Sequence, residues 1–177
     1  MAGPPAGYGA PMDSGMPVIA SLDELADAVR SRNRGSDLYV RWSRGPDHDL
    51  PHGPIAHQPS HDPLTGVPLP GLSVSPLRVE QWWGDRPVQF WVARRLCGYR
   101  QPRRVDVTDG RPWLLVGDLR GRGPDNEPLV ACRRPVAWID QRVVWESEQA
   151  LAQANGADWW GPLVLSTVVL AALLCRP

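Results

Sequence analysis

The chain has 177 residues, with 19 basic and 19 acidic side chains, so its formal net charge at pH 7 is zero. This length suits one domain with appendages and is short for two independent hydrophobic cores. A neutral chain lacks the field that draws a protein to nucleic acid or acidic lipid, which excludes functions that depend on overall charge. The one basic stretch, residues 86–104, is expected to be a solvated helix face, so nucleic acid is not an expected partner.

Cysteine usage and the N-terminal composition bear on compartment and domain limits. Cys97, Cys132 and Cys175 are too widely spaced for a zinc ligand set or a disulfide framework. Reduced thiols, and therefore a cytoplasmic protein, are expected. Residues 1–20 are rich in Gly and Pro and lack the early charge and apolar stretch of a signal peptide. They are expected to form a disordered arm before a single domain at 21–156.

The beginning of this domain predicts one helix, one strand and a long loop. Ser21 and Glu24 form a capping box, and the apolar residues that follow recur at helical spacing, which predicts a short helix ending near Gly35. Leu38–Ser43 alternates apolar and polar side chains, which predicts a strand that carries Arg41. Residues 44–70 are rich in proline with little periodicity, so they are expected to form a loop.

All four histidines lie in the loop at 44–70, interspersed with aspartates. Imidazole and carboxylate groups are ligands of zinc and other divalent ions. No helix is predicted that would align pairs of imidazoles, however, so we interpret the segment as a solvated loop and predict no metal site.

The remainder of the domain predicts strands and helices in mixed order. Strands are expected at 71–75, 113–119, 129–132 and 136–140, with helices beginning at Pro76 and spanning 88–99 and 143–154, and a Gly- and Pro-rich loop at 121–128. Because these elements do not alternate regularly as βαβ units, we predict an α+β fold. Its sheet should be mainly antiparallel or split, with flanking helices, in a single domain.

The C-terminal segment at 157–177 is an apolar tail. Residues 159–175 carry no charge and approach the length needed to cross a bilayer, although Gly161 and Pro162 restrict the continuous helix. Two alternatives stay open: a membrane tail with Trp and Arg at its interfaces, or an element packed on the domain. The expected localisation is cytoplasmic, with membrane association through this tail as the alternative.

Three phrases of the sequence resemble a known family. LYVRWSRGP, LPGLSVSPL and GRGPDNEPLV are similar to the hallmarks of a family of uncharacterised actinobacterial proteins known as a domain of unknown function. The resemblance covers about residues 38–146. It implies an intracellular bacterial protein and no assigned activity.

A second and more distant resemblance follows from the order of a few polar residues. An Arg at the end of a first strand, a Ser-x-Ser beginning a second strand, and a Glu just ahead of a later strand are similar to the signature of ADP-ribosyltransferases. This resemblance implies an NAD-binding protein that cleaves the nicotinamide bond. The positions that match or surround the signature are Glu127 and Ser73 as catalytic candidates, with Arg41, Ser75, Gly121 and Gly123 as cofactor-binding candidates.

The chemistry of nicotinamide release suits these residue types. Cleavage builds positive charge on the ribose, so a carboxylate beside the sugar, here Glu127, stabilises the transition state. Arg41 would make charge-assisted bonds to the phosphates, and Ser73 would orient the carboxylate or the ribose. The two glycines would let the backbone approach the ligand closely.

The sequence departs from the ADP-ribosyltransferase signature at two positions. Asp125 stands where members that modify Arg have Glu or Gln, and Val74 stands between the serines in place of Thr. The alternative interpretation is a non-catalytic binding or regulatory module. In that case Arg41 would be a structural residue paired with Asp37 or Asp47.

Overall fold

The structure is a computed structural model that describes residues 15–32, 37–51, 60–62, 64–98 and 110–156. Strands and helices alternate irregularly along the chain, which confirms the predicted α+β class. The elements are β1 Val18–Ile19, α1 Leu22–Ser31, β2 Leu38–Ser43, α2 Pro46–Asp49, β3 Leu72–Ser73, β4 Ser75–Pro76, a 3-10 turn Gln81–Trp83, α3 Val88–Gly98, β5 Arg111–Arg122, β6 Pro128–Ile139 and α4 Gln141–Gly156.

The sheet is mostly antiparallel and curls back on itself. β5 and β6 form a long hairpin, with β2 antiparallel to β5 and the short β1 parallel to β6. β3 pairs with β6 while β4 pairs with β2, and only Val74 separates β3 from β4. Residues 72–76 therefore connect the two sides of the sheet, and this connection forms the curl.

The two faces of the sheet cover two separate apolar clusters. Side chains alternate between faces along a strand, so neighbouring residues of β2 point in opposite directions. Leu38 and Val40 belong to the cluster beneath the helices, whereas Tyr39 belongs to the cluster inside the curl. Trp113 also lies inside the curl and is fully buried. Arg41 follows the parity of Tyr39 and therefore extends into the inner cluster.

Helices α1, α3 and α4 cover the outer face of the sheet. The serine half of the predicted capping box of α1 is confirmed, because the Glu24 N–H donates to Ser21 Oγ at 3.2 Å, whereas Glu24 Oε2 accepts from the N–H of Ala20, one residue before the N-cap, at 2.8 Å. The predicted helix at 88–99 is confirmed as α3, which buries Trp91 and Leu96. The apolar periodicity of these helices thus identified the surface that packs on the sheet.

Several predicted boundaries are corrected by the sheet. Pro76 does not start a helix, because it lies in β4 opposite Tyr39. The strands predicted at 129–132 and 136–140 are one continuous strand, β6. Its register with β5 shifts at Leu114/Leu115, whose partners are Ala137 and Pro135, so a bulge accommodates the proline within one ladder.

The ends of the predicted arm and loop also change. The arm predicted for 1–20 does not reach residue 20, because Val18–Ile19 pairs with β6 as β1. The loop predicted at 44–70 contains the four-residue helix α2. Near the end of the loop, His61 and Pro68 form an isolated antiparallel β-bridge. Residues 1–14 and the tail at 157–177 lie outside the described residues. Within the described ranges, no helix has the length and apolar character needed to cross a membrane.

Candidate functional site

Arg41 is a buried arginine whose guanidinium is held by a carboxylate, a hydroxyl and a carbonyl. Its Nε and Nη2 donate to the two carboxylate oxygens of Asp49 at 2.5 and 3.0 Å. Its Nη1 donates to Ser60 Oγ at 3.1 Å and to the Ser73 carbonyl at 2.9 Å. The bidentate pair fixes the guanidinium plane, and Nη1 is thereby directed at β3.

Asp49 is the carboxylate that balances this charge, and it is almost inaccessible to solvent. Its side chain is 3% exposed, and its Oδ2 also accepts from Ser43 Oγ at 2.5 Å. Ser43 Oγ in turn accepts from the indole Nε1 of Trp113 at 2.9 Å. The pairing of Arg41 with Asp37 or Asp47 that the sequence suggested is therefore wrong. Asp49 is the partner because α2 turns its carboxylate into the curl.

The environment of Asp49 changes its pKa in two opposing ways. Burial alone would raise the pKa, but the hydrogen bonds and positive charge of Arg41, with further bonds from Ser43 and His48, outweigh it. The net result is a pKa below the ordinary value of 3.8. Asp49 is therefore a carboxylate at neutral pH, and the buried pair carries no net charge.

Ser73 connects this ion pair to Glu127. Its carbonyl accepts from Arg41, and its N–H donates to Ser60 Oγ at 2.9 Å. Its own hydroxyl lies 3.4 Å from Glu127 Oε1. Three residues that are distant in the sequence, Arg41, Ser73 and Glu127, are thus joined by direct contacts, and each is at most 9% exposed.

Glu127 ends the turn of the β5–β6 hairpin and folds back beneath it. The Gly123 N–H donates to the Glu127 carbonyl at 2.8 Å, and the Asn126 N–H donates to the Gly123 carbonyl at 2.9 Å. Asn126 has a φ of 62°, the left-handed conformation that asparagine tolerates well. The backbone N–H of Asp125 donates to Glu127 Oε2 at 3.0 Å, so the carboxylate is held within its own turn.

The two glycines of the predicted site have different surroundings. A Cβ added to Gly123 would lie 2.2 Å from Glu127 Oε1, so only glycine leaves room for that carboxylate. A Cβ added to Gly121 would meet no atom within 4 Å. Gly123 therefore belongs to the Glu127 turn, whereas Gly121 lies in the hairpin strand beside open space.

Ser75 follows Val74 at the start of β4, and its hydroxyl forms a hydrogen bond outside the Arg41–Ser73–Glu127 cluster. Its hydroxyl donates to the Arg95 carbonyl of α3 at 3.4 Å. A concavity of about 440 Å³ is also separate from the cluster, between the end of α1 and the start of α3. It is lined by Val29, Arg30, Val79 and residues 84–88. Of the predicted site residues, the cluster thus unites Arg41, Ser73, Gly123 and Glu127.

Sequence reasoning missed Asp49, Ser60 and Ser43 as members of the cluster. One local signal was available, because Gly45 followed by Pro46 matches the start of a helical turn that would present Asp49 three residues later. For Ser60 no local signal existed, since it meets Ser73 only through the curl. In the described part of the chain no group of three or more His, Cys, Asp or Glu side chains could hold a metal ion, and His52 and His57 lie outside that part.

The fold and the cluster define a class of protein: a small α+β domain whose curled sheet encloses a buried Arg–Asp pair linked to a Ser–Glu contact. Residues 12–161 match the sequence model of a family of unknown function, DUF6098, so the chain belongs to that family. The resemblance to a domain-of-unknown-function family is thereby confirmed. No curated protein matches the chain, and no solved structure matches it either.

Proposed function

We propose that this domain binds NAD at the Ser73–Glu127 end of the cluster and cleaves its nicotinamide bond, as the likeness to ADP-ribosyltransferases implies. The observation that carries the proposal is the contact of 3.4 Å between Ser73 Oγ and Glu127 Oε1. A serine from β3 and a glutamate ahead of β6 meet, and the Arg41 guanidinium contacts the same serine from the other side. The order along the chain and the contacts in space agree with one ribose-binding set.

The proposed chemistry assigns one task to each side chain. Glu127 would stabilise the positive charge that develops on the ribose as the nicotinamide leaves. Ser73 would hold that carboxylate in place, and NAD is the expected cofactor. Arg41 could act as a phosphate ligand through the second N–H of Nη2, because its hydrogen bonds to Asp49, Ser60 and Ser73 use four of the five N–H donors of the guanidinium.

Nicotinamide release from NAD tests the proposal directly. We expect full-length protein to bind NAD in a calorimetric titration and to release nicotinamide, measured by chromatography. Glu127→Gln keeps the shape of the side chain but removes its charge, so release should fall by about 100-fold or more. Asp125→Asn is the matched control, because Asp125 is exposed and contributes its backbone N–H, which the substitution keeps.

Two results would contradict an NAD-cleaving function. One is wild-type protein that neither binds NAD nor releases nicotinamide. The other is release by Glu127→Gln at the wild-type rate, since the carboxylate would then play no part in the reaction.

Gly123 offers a test that keeps the Glu127 carboxylate but displaces it. In Gly123→Ala the new methyl group would occupy the position of that carboxylate, so we expect nicotinamide release to fall at least about tenfold. Gly121→Ala meets open space and should keep wild-type release. Release by Gly123→Ala at the wild-type rate would show that the position of the Glu127 carboxylate is unimportant.

A non-catalytic binding or regulatory module is the second candidate, and the bidentate Arg41–Asp49 pair favours it. A guanidinium whose three nitrogens are all engaged stabilises the curl without any ligand. In this case Arg41→Met with Asp49→Leu should keep the fold and the binding properties of the domain. Wild-type protein should then release no nicotinamide, whether or not NAD shifts the amide resonances of Ser73 and Glu127, whereas nicotinamide release that Glu127→Gln abolishes would exclude this candidate.

A further inference from the structure

Ser73 is held by its backbone as well as by its side chain. Its carbonyl accepts from Arg41 Nη1, and its N–H donates to Ser60 Oγ. Arg41 Nη1 also donates to the same Ser60 Oγ at 3.1 Å, which closes a ring of three residues. Because both backbone groups are anchored, the direction of the Ser73 Cβ is determined, and the hydroxyl faces Glu127.

Asp49 determines which nitrogen of Arg41 reaches this ring. Its two oxygens occupy Nε and Nη2, so the guanidinium presents Nη1 to Ser60 and Ser73. Asp49 is itself held by Ser43, which Trp113 anchors from β5. The position of the Ser73 hydroxyl is thereby tied to both the α2 turn and the central hairpin.

We infer that Asp49 and Ser60 are positioning residues for the Ser73–Glu127 pair, acting through Arg41 and the Ser73 backbone; this rests on the proposed NAD-cleaving function. Asp49 is 2% exposed, and neither residue contacts Glu127 in any hydrogen bond of the described structure. Their effect on the reaction is therefore transmitted by the geometry of Ser73. A positioning residue of this kind lowers kcat, while KM for NAD changes little.

Ser60→Ala is the sharpest variant, because Ser60 is only half-buried and its loss removes one hydroxyl without leaving a buried charge. Ser60→Thr is the conservative control, since it keeps the hydroxyl. In Ser60→Ala we expect hydrogen exchange of the Ser73 amide to accelerate about fivefold, the effect of one lost hydrogen bond. Exchange at the Leu115 amide of β5 should stay at the wild-type rate. The kcat for nicotinamide release should fall about tenfold in Ser60→Ala. Ser60→Thr should keep both the Ser73 amide exchange rate and kcat at their wild-type values.

Asp49→Glu supplies a second variant with the charge preserved and the geometry altered. We expect it to lower kcat with a change of less than about threefold in KM, and to shift the Glu127 carboxyl ¹³C resonance. An unchanged Ser73 amide in Ser60→Ala, or a loss of activity that Ser60→Thr does not restore, would overturn the inference.

Failure of the proposed function gives a different result from failure of the positioning role. Wild type that leaves NAD intact rejects the proposed function alone. The inference is then decided by the Ser73 amide exchange and the Glu127 ¹³C shift. Ser73 amide exchange must change in Ser60→Ala and be kept in Ser60→Thr, and the Glu127 ¹³C resonance must shift in Asp49→Glu, if these residues position the pair; unchanged values reject it.

Discussion

Replacing Asp49 by Asn leaves the Arg41 guanidinium charged and buried while it removes the charge that balances it. The side chains of Asp49 and Arg41 are 3% and 11% exposed, so water cannot screen the remaining charge. Asn also keeps only one acceptor oxygen, and its amide NH2 would face a donor of Arg41 or Ser43. Removing one partner of a buried ion pair costs about 3–5 kcal/mol. That is a large share of the total stability of about 5–15 kcal/mol of an ordinary domain.

Urea unfolding followed by tryptophan fluorescence measures this cost, because Trp113 lies in the same network. We expect Asp49→Asn to lower the unfolding midpoint without changing the m-value, so that the free energy of unfolding alone is affected. Asp47→Asn is the matched control, since Asp47 is exposed and sits on the same helical turn. The control should stay within about 0.5 kcal/mol of wild type.

The double variant Arg41→Met with Asp49→Leu separates the value of the pair from the cost of an unpaired charge. Replacing both partners with apolar residues leaves no buried charge without its counter-charge, so the double variant should be more stable than Asp49→Asn. A cost below about 1 kcal/mol for Asp49→Asn would match an exposed ion pair. The description of the Arg41–Asp49 pair as buried from solvent would then be wrong.

Three further predictions concern acid, thiol chemistry and one glycine. Folding lowers the pKa of Asp49, so the ionised Asp49 stabilises the fold above pH 3.8, and this contribution is lost as the pH falls through the pKa that Asp49 has in the folded protein. The difference in free energy of unfolding between wild type and Asp49→Asn should therefore shrink below about pH 4. Burial raises the pKa of the Cys132 thiol to about 11, and the negative charge of Asp49 contributes next. In protein whose other cysteines are replaced by Ser, a disulfide reagent at pH 8 should therefore label Cys132 about 100-fold more slowly when the protein is folded than when it is unfolded in urea. Gly45 has a φ of 121°, and a Cβ there would lie 2.4 Å from Cη2 of Trp138, so Gly45→Ala should cost about 3 kcal/mol by urea unfolding. Gly66→Ala, with a φ of 70° and no atom within 4 Å of the added Cβ, should cost only about 1 kcal/mol, and equal costs would refute the packing argument.

The hairpin shows how far local signals reach and where they end. Apolar runs on either side of a turn rich in Gly, Pro and Asn predicted two strands and a shaped loop, and Asn126 adopts the left-handed conformation that such a turn requires. The interruption predicted within the second strand is absent, because its ladder bonds to β5 continue past Pro135 through a bulge. Such bonds depend on the partner strand, which no local pattern within β6 describes.

The candidate site likewise has residues that the sequence identified and residues that only the structure identified. Arg41, Ser73 and Glu127 were chosen from their order along the chain, and the structure places them in one chain of contacts. That contact does not test whether they bind NAD, which stays a prediction. The turn that Gly45 and Pro46 begin was a local signal for Asp49, but it did not single out this partner of Arg41, because several aspartates lie within reach of β2 along the chain.

The sequence by itself determined α1, β2 and α3, because a capping side chain and the spacing of apolar residues act over a few neighbouring positions. Only the tertiary structure decided that residues 72–76 connect β6 to β2 and that Asp49 and Ser60 meet Arg41 inside the curl. The physical reason is burial. Inside the curl a charge needs an opposite charge and each donor needs an acceptor, and these partners are supplied by whichever segments the closed sheet brings together.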